Sequence, residues 1–304
     1  METMLRNAFQ HLGKSRTANR MARKYGLKFG AGRFVAGETI EHAIRTVRRL
    51  NGEGLMATLD HLGEFVGTEA EAAQSADMCI RTLEAIAESG VDSNLSLKLT
   101  SLGLDLNEET CLRNMRAILE TARKHGNFVR IDMEDFSHCQ QTLDLYRRLR
   151  EEFDNVGVVI QAYLYRSEQD IADLAAYRAN MRLVKGAYKE SPRVAYPEKK
   201  QVDDNYRKII RQQLNNGNYA AIATHDESVV EEIKGYIWDR GIPHDKFEFQ
   251  MLYGIAEDLQ RRLVGEGYRV RVYVPYGIDW FGYFMRRLAE RPANVWFVLK
   301  NLFR

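Results

Sequence analysis

Short apolar runs rich in β-branched residues alternate along this chain with longer stretches whose apolar positions recur every three to four residues. The runs at 55–61, 94–100, 127–133, 156–164, 181–187, 219–225, 246–252 and 268–274 read as strands. The stretches at 69–89, 108–125, 138–153, 168–177, 203–215, 228–240, 255–266 and 280–290 read as helices, with one more helical segment at 38–50 ahead of the first strand. Gly90, Gly126, Gly241 and Gly267 fall just past helix ends, where a left-handed residue closes the last turn. Eight strand–helix units of roughly 30 residues each are what a (β/α)8 TIM-type barrel requires. A doubly wound open sheet is the competitor, but no glycine-rich turn follows the first strand, and neither G-x-G-x-x-G nor a P-loop occurs anywhere. Residues 1–54 then form an N-terminal helical segment packed on the barrel, and residues 55–304 form the barrel as a single unit.

In such a barrel the polar residues at the carboxyl ends of the strands face the active site. They are Asp60, Lys98, Asp132, Gln161, Arg182 with Lys185, Thr224 with His225, Gln250 and Tyr273. Charges inside apolar strands are costly unless paired or facing a cavity. Lys98 sits between Leu97 and Leu99 and needs an anion; Asp132, one strand on, is a candidate partner, and a purely structural ion pair is the alternative. Arg182 and Lys185 stand beside Gly186 and Ala187, small residues that let a pyrophosphate or flavin approach the backbone. His225 has no second ligand at metal spacing and reads as a satisfied core or cofactor-contacting histidine. On the last helix, Arg286 and Arg287 form either a carboxylate or phosphate clamp, with Glu290 orienting one of them, or a solvated basic patch. The stretch 188–202 carries two prolines and a run of charges, and reads as a lid or as a solvated insertion.

Composition narrows the class. With 45% hydrophobic residues the chain can build a large core, and its net charge of +2 gives no ground for a nucleic-acid partner. No run approaches the roughly 20 apolar residues that span a bilayer. Cys79, Cys111 and Cys139 are widely spaced within helical patterns and read as reduced thiols of a cytoplasmic protein. From Met1 to Gly37 the only acid is Glu2, set against eight basic residues. Such a leader fits a transit peptide, a surface touching anionic lipid at the inner face of the membrane, or ordinary amphipathic helices packed on the domain. The tail from Trp296 to Arg304 suits a membrane or quinone-side contact, or core packing.

Six motifs taken together resemble a known family: IDMED (131–135), IQAYL (160–164), RLVKGAY (182–188), ATH (223–225), FEFQML (247–252) and Y-x-P-x-G…YFMRRLAERP (273–292). Their order and placement over residues 37–292 closely resemble monofunctional bacterial proline dehydrogenase. That resemblance implies a distorted (β/α)8 barrel whose last helix lies over the strand ends, with FAD at the C-terminal face and no metal. It implies that Arg286, Arg287 and Lys98 hold the carboxylate of L-proline, that Tyr273, Tyr283 and Leu252 pack around its ring, and that Asp132 and Arg182 act at the active site. Met133, Gln161, Arg182, Lys185, Gly186, Ala187, Thr224 and His225 match flavin contacts, and Glu64 matches an acid that pairs with Arg286 as a gate. The reaction so implied oxidises L-proline to Δ1-pyrroline-5-carboxylate, with electrons passing to a membrane quinone. The chain leaves no room for the aldehyde dehydrogenase domain of bifunctional relatives, so a separate Δ1-pyrroline-5-carboxylate dehydrogenase takes the product. A 4-hydroxyproline or other cyclic imino acid dehydrogenase is the alternative activity, and a barrel that binds a ligand without catalysis is a third reading.

Overall fold

The computed structural model describes residues 31–63 and 66–290, without the side chains of residues 286 and 288–290. Eight parallel strands close into a barrel in chain order: β1 (Met56–His61), β2 (Ser93–Leu97), β3 (Val129–Ile131), β4 (Val156–Gln161), β5 (Met181–Val184), β6 (Ala220–Ala223), β7 (Phe247–Leu252) and β8 (Val270–Tyr276). The β8–β1 pairing, Met56 against Arg271 through His61 against Tyr276, seals the cylinder and removes both sheet edges. Helix α1 (Ile40–Gly52) precedes β1. After the strands in turn come α2 (Glu69–Ser89), α3 (Glu108–Lys124), α4 (Phe136–Glu152), α5 (Ser167–Leu174), α6 (Lys199–Asn215), α7 (Glu227–Arg240), α8 (Glu257–Gly265) and α9 (Trp280–Glu290).

Local chemistry sets the helix ends. Thr68 and Glu71 form a reciprocal capping box at the start of α2, and Asn107 and Asp135 accept the first amides of α3 and α4. Gly90, Gly126, Gly241 and Gly267 all carry positive φ, as their positions require. The residues that alternate outward on the strands, among them Leu59, Leu95, Ile131, Ile160, Leu183, Ile222, Phe249 and Val272, are buried under the helix ring. Ala43, Ile44, Val47 and Leu50 of α1 belong to the same core. A second apolar cluster joins Phe34 and Val35 to Leu62, Ile255 and the α9 residues Trp280, Tyr283, Phe284 and Met285. That cluster docks α9 beside the strand ends.

Strand limits are tighter than the apolar runs suggested. Position 98 lies one residue beyond β2 and the 162–164 segment beyond β4, because the chain leaves the sheet where its side chains become polar or meet the mouth. The segment 188–198 is anchored. Leu164 and Ala195 form an antiparallel bridge, Tyr165 N–H donates to Val194 O (3.1 Å), Tyr196 N–H donates to Tyr163 O (2.8 Å), and Glu190 accepts the Phe136 amide (2.9 Å). A freely opening lid is not what these bonds describe. Helix α6 begins at Lys199, four residues earlier than its apolar period indicates. The basic leader up to residue 30, the tail and Glu64 lie outside the described residues. Among those described, no helix is long and apolar enough to cross a membrane.

Candidate active site

Many inward-pointing side chains of this barrel are polar, among them Asp60, Ser96, Arg130, Gln161, Arg182, Glu248, Gln250 and Arg271. At its base the buried pair Arg271–Glu248 meets through Nε at 2.9 and 3.2 Å, and Arg271 Nη1 also donates to Ala57 O (2.7 Å). Glu248 accepts Tyr219 Oη (2.9 Å) and Gln250 Nε2 (2.5 Å); Gln250 Oε1 in turn accepts Arg182 Nε (2.6 Å). Arg182 Nη1 pairs with Asp132 Oδ1 at 2.6 Å, alongside Ser96 Oγ, which donates to the same oxygen at 2.8 Å. The chain of contacts therefore runs from β8 at the base, through β7 and β5, to β3 at the mouth. Each link leaves few donors unsatisfied, which is the condition for keeping charge in a low-dielectric interior.

At the mouth Tyr273 Oη lies 2.6 Å from Asp60 Oδ2 and 2.8 Å from Asp132 Oδ2, and Lys98 Nζ lies 3.3 Å from Asp60 Oδ2. Lys98 thus pairs with Asp60 of β1. Asp132, the partner suggested by strand order, is instead taken by Arg182. β1 and β3 flank β2 on opposite sides, and Arg182 Nη1 already occupies Asp132 Oδ1. Burial raises the Asp60 carboxyl above its ordinary range, against the pull of the Lys98 charge and with the repulsion of Asp132 added. Burial, then the two carboxyl groups, raise the Tyr273 phenol well above its usual range, so it stays protonated. Arg182 stacks over the Tyr273 ring with 5.2 Å between guanidinium carbon and centroid.

Above this floor lies a cavity of about 710 Å³. Its walls bring together Lys98, Asp132, Met133, Gln161, Arg182, Lys185, Gly186, Ala187, Thr224, His225, Leu252, Tyr273, Tyr283 and Arg287. Every candidate site residue except Glu64, Arg286 and Glu290 is therefore gathered at one place. Glu64 and the side chains of Arg286 and Glu290 are not among those described. Arg182 and Lys185 are not a joint cation pair: Lys185 turns to Asp203 (2.6 Å) and Asp226 (3.0 Å). Burial acts to raise Asp226, yet hydrogen bonds from Lys185 and Ser228 hold it down at about 2. His225 Nε2 accepts the Leu252 amide (2.9 Å), so this nitrogen carries no proton and ties the β6 end to the β7 end. Gly186 has φ +111°, and a Cβ there would fall 2.2 Å from the Tyr163 ring; this close approach needs glycine.

Sequence reasoning missed several participants. Asp203 and Asp226, which hold Lys185, went unassigned although Asp226 directly follows the ATH motif. Glu134 also went unassigned; its carboxylate accepts Thr100 Oγ1 (2.7 Å) while its carbonyl accepts Gln161 Nε2 (3.1 Å). The second acid of IDMED was its available signal. Two buried polar atoms on the cavity wall, Gln161 Oε1 and Arg182 Nη2, have no hydrogen-bond partner among the described residues. One acceptor and one donor left open at the wall of a cavity, with Met133, Ala187 and Leu252 as apolar neighbours, suit a flat ligand with a polar edge such as a flavin ring.

A closed eight-stranded barrel with a charged cavity at its carboxyl ends defines a barrel enzyme that works on a small molecule. Comparison with known proteins specifies which. The proline dehydrogenase family profile matches residues 43–300. Proline dehydrogenase 1 of Bacillus subtilis strain 168 is 53% identical over 301 residues, 99% of this chain and 100% of that protein. The proline dehydrogenase of Deinococcus radiodurans is 47% identical over 279 residues, 90% of each chain. Among solved structures, proline utilization A of Bdellovibrio bacteriovorus inactivated by N-propargylglycine superposes with a TM-score of 0.81 at 28% identity, covering 86% of this chain and 32% of that one. The chain belongs to the proline dehydrogenase family.

Proposed function

We propose that this protein oxidises L-proline to Δ1-pyrroline-5-carboxylate with FAD bound at the barrel mouth. The observation that carries the reading is the meeting of Lys98 and Arg287 at one cavity with Tyr273, Tyr283 and Leu252. Proline is a zwitterion with a compact apolar ring. Cations from β2 and α9 can neutralise and orient its carboxylate, joined by Arg286 as the family resemblance implies. The aromatic and leucine side chains can then pack on the ring, and fixing it in this way supplies much of the entropic cost of reaching the reactive geometry. The ring nitrogen must give up a proton before its lone pair can expel hydride from the adjacent carbon, and the cationic surroundings favour that loss. FAD, when bound, supplies the hydride acceptor. Gln161 Oε1, Arg182 Nη2, Lys185 and the backbone at Gly186 and Ala187 would hold it, with Met133, Thr224 and His225 alongside. Asp132 keeps Arg182 oriented toward this edge.

Electrons would then pass to a membrane quinone and the product to a separate dehydrogenase, with the protein cytoplasmic and its basic leader available to the inner membrane face. Proline is preferred over 4-hydroxyproline, because Tyr273 Oη is held by two carboxyl groups and cannot swing aside for a ring hydroxyl. Anaerobic addition of proline to the purified protein should bleach its flavin absorbance, with a higher kcat/KM for proline than for 4-hydroxyproline. Purified protein that carries flavin but keeps its full absorbance with excess proline overturns the reading.

A further inference from the structure

The Tyr273 hydroxyl carries one hydrogen, yet it lies within hydrogen-bond distance of two carboxyl oxygens, Asp60 Oδ2 at 2.6 Å and Asp132 Oδ2 at 2.8 Å. One hydrogen serves one acceptor, so the second contact needs a proton from the other side. Asp132 is placed as the acceptor, since the Arg182 guanidinium donates to its Oδ1 at 2.6 Å and the Ser96 hydroxyl donates to the same oxygen at 2.8 Å. Asp60 is 2% exposed, and its contact with Lys98 is 3.3 Å, longer than the roughly 2.7–2.9 Å of a charge-assisted bond. Two carboxylates sharing one phenol also repel, which favours a neutral partner. We infer that Asp60 is a protonated carboxylic acid that donates to Tyr273 Oη, fixing the phenol so that it donates to Asp132, and that it thereby positions the substrate-facing tyrosine.

Charged and titratable groups surround Asp60 from each neighbouring element. They are Lys98 beyond β2, Asp132 on the β3 side, Tyr273 and Tyr276 of β8, Cys79 of α2, and the adjacent His61. Burial and the Asp132 charge raise the Asp60 carboxyl and Lys98 lowers it, and the net displacement is upward, toward the neutral form. Asp60 acts through Tyr273; it is a positioning residue.

This inference rests on the proline dehydrogenase reading above, and two readouts separate their failures. Asp60→Ala leaves the buried phenol without its donor and should lower kcat/KM for proline about 10- to 100-fold. Asp60→Asn supplies a neutral N–H donor of the same shape and should recover most of that loss. The parent's kcat/KM should fall at alkaline pH as Asp60 ionises, and Asp60→Asn should remove that limb. Infrared spectroscopy, which needs no turnover, should show the carbonyl stretch of a protonated carboxyl in the parent and its loss in Asp60→Asn. The inference is overturned if Asp60→Asn is as impaired as Asp60→Ala, or if no such band disappears. A band that is present in the parent and absent from Asp60→Asn, in protein that does not turn over proline, would instead sink the functional reading alone.

Discussion

Glu248 is the junction of the polar chain inside the barrel, and Glu248→Ala tests whether that chain supports both the fold and the mouth. The side chain is 2% exposed and ties together Arg271, Tyr219 and Gln250. Burial by itself would raise its carboxyl, but the Arg271 charge and bonds hold it below the usual carboxylate range. Truncation leaves Arg271 in the interior with the Ala57 carbonyl (2.7 Å), the Met56 sulfur (3.3 Å) and a long contact to Asp92 (3.9 Å), leaves a tyrosine hydroxyl incompletely satisfied, and leaves Gln250 without the acceptor that orients it. Breaking a buried pair by removing one member costs about 3–5 kcal/mol, which in a domain of this size is roughly 5–8 °C in Tm. Because Gln250 orients Arg182, kcat/KM for proline should also fall, and a displacement of about 1 Å at the mouth is worth on the order of 100-fold. The assays are urea unfolding followed by circular dichroism, and steady-state turnover with a dye acceptor. The double change Glu248→Leu with Arg271→Met should recover much of the stability without recovering turnover, since the Gln250 contact stays missing. A loss below about 1 kcal/mol in Glu248→Ala, with turnover intact, would refute the argument.

Arg287→Ala should raise the KM for proline about 10- to 100-fold while flavin absorbance per protein stays constant; a variant that loses flavin and keeps its KM contradicts the clamp. Gly186→Ala places a Cβ in the Tyr163 ring and, by moving the backbone at the mouth, should weaken flavin binding by more than about tenfold, read by fluorescence titration. Burial and the Lys98 charge lower His61 from 6.5 to about 4. The unfolded chain therefore binds a proton that the folded one refuses between those values. The stability from neutral His61 is complete above pH 6.5 and about 3 kcal/mol of it is lost as pH falls to about 4. His61→Phe, which keeps an aromatic edge on Tyr276, should flatten that part of the urea-unfolding profile; an unchanged slope contradicts the assignment.

Strand–helix order was legible because a barrel repeats one local instruction eight times, and apolar period plus glycine caps suffice to read it. Which polar residues reach the mouth was legible too, since strand ends are marked where apolar runs stop. The pairing among them was not. Lys98 could meet Asp60 or Asp132 by strand adjacency alone. Only the reach of Arg182 across the lumen from β5 removes one choice, and that reach depends on barrel closure. Likewise nothing local announces that Lys185 turns back to Asp203, which lies on α6 beyond a segment that reads as loop. The staples that fix 188–198 are backbone bonds, and these leave little trace in residue type.

All three cysteines of the chain are buried, and burial raises Cys79 and Cys111 to about 12 and Cys139 to about 11. Thiolate, the species that alkylates, is therefore scarce at neutral pH. The native sulfurs form a silent background for chemical labelling. A single Ile278→Cys change, at an exposed position two residues ahead of α9, would take a maleimide dye alone and report any movement of that helix as proline arrives.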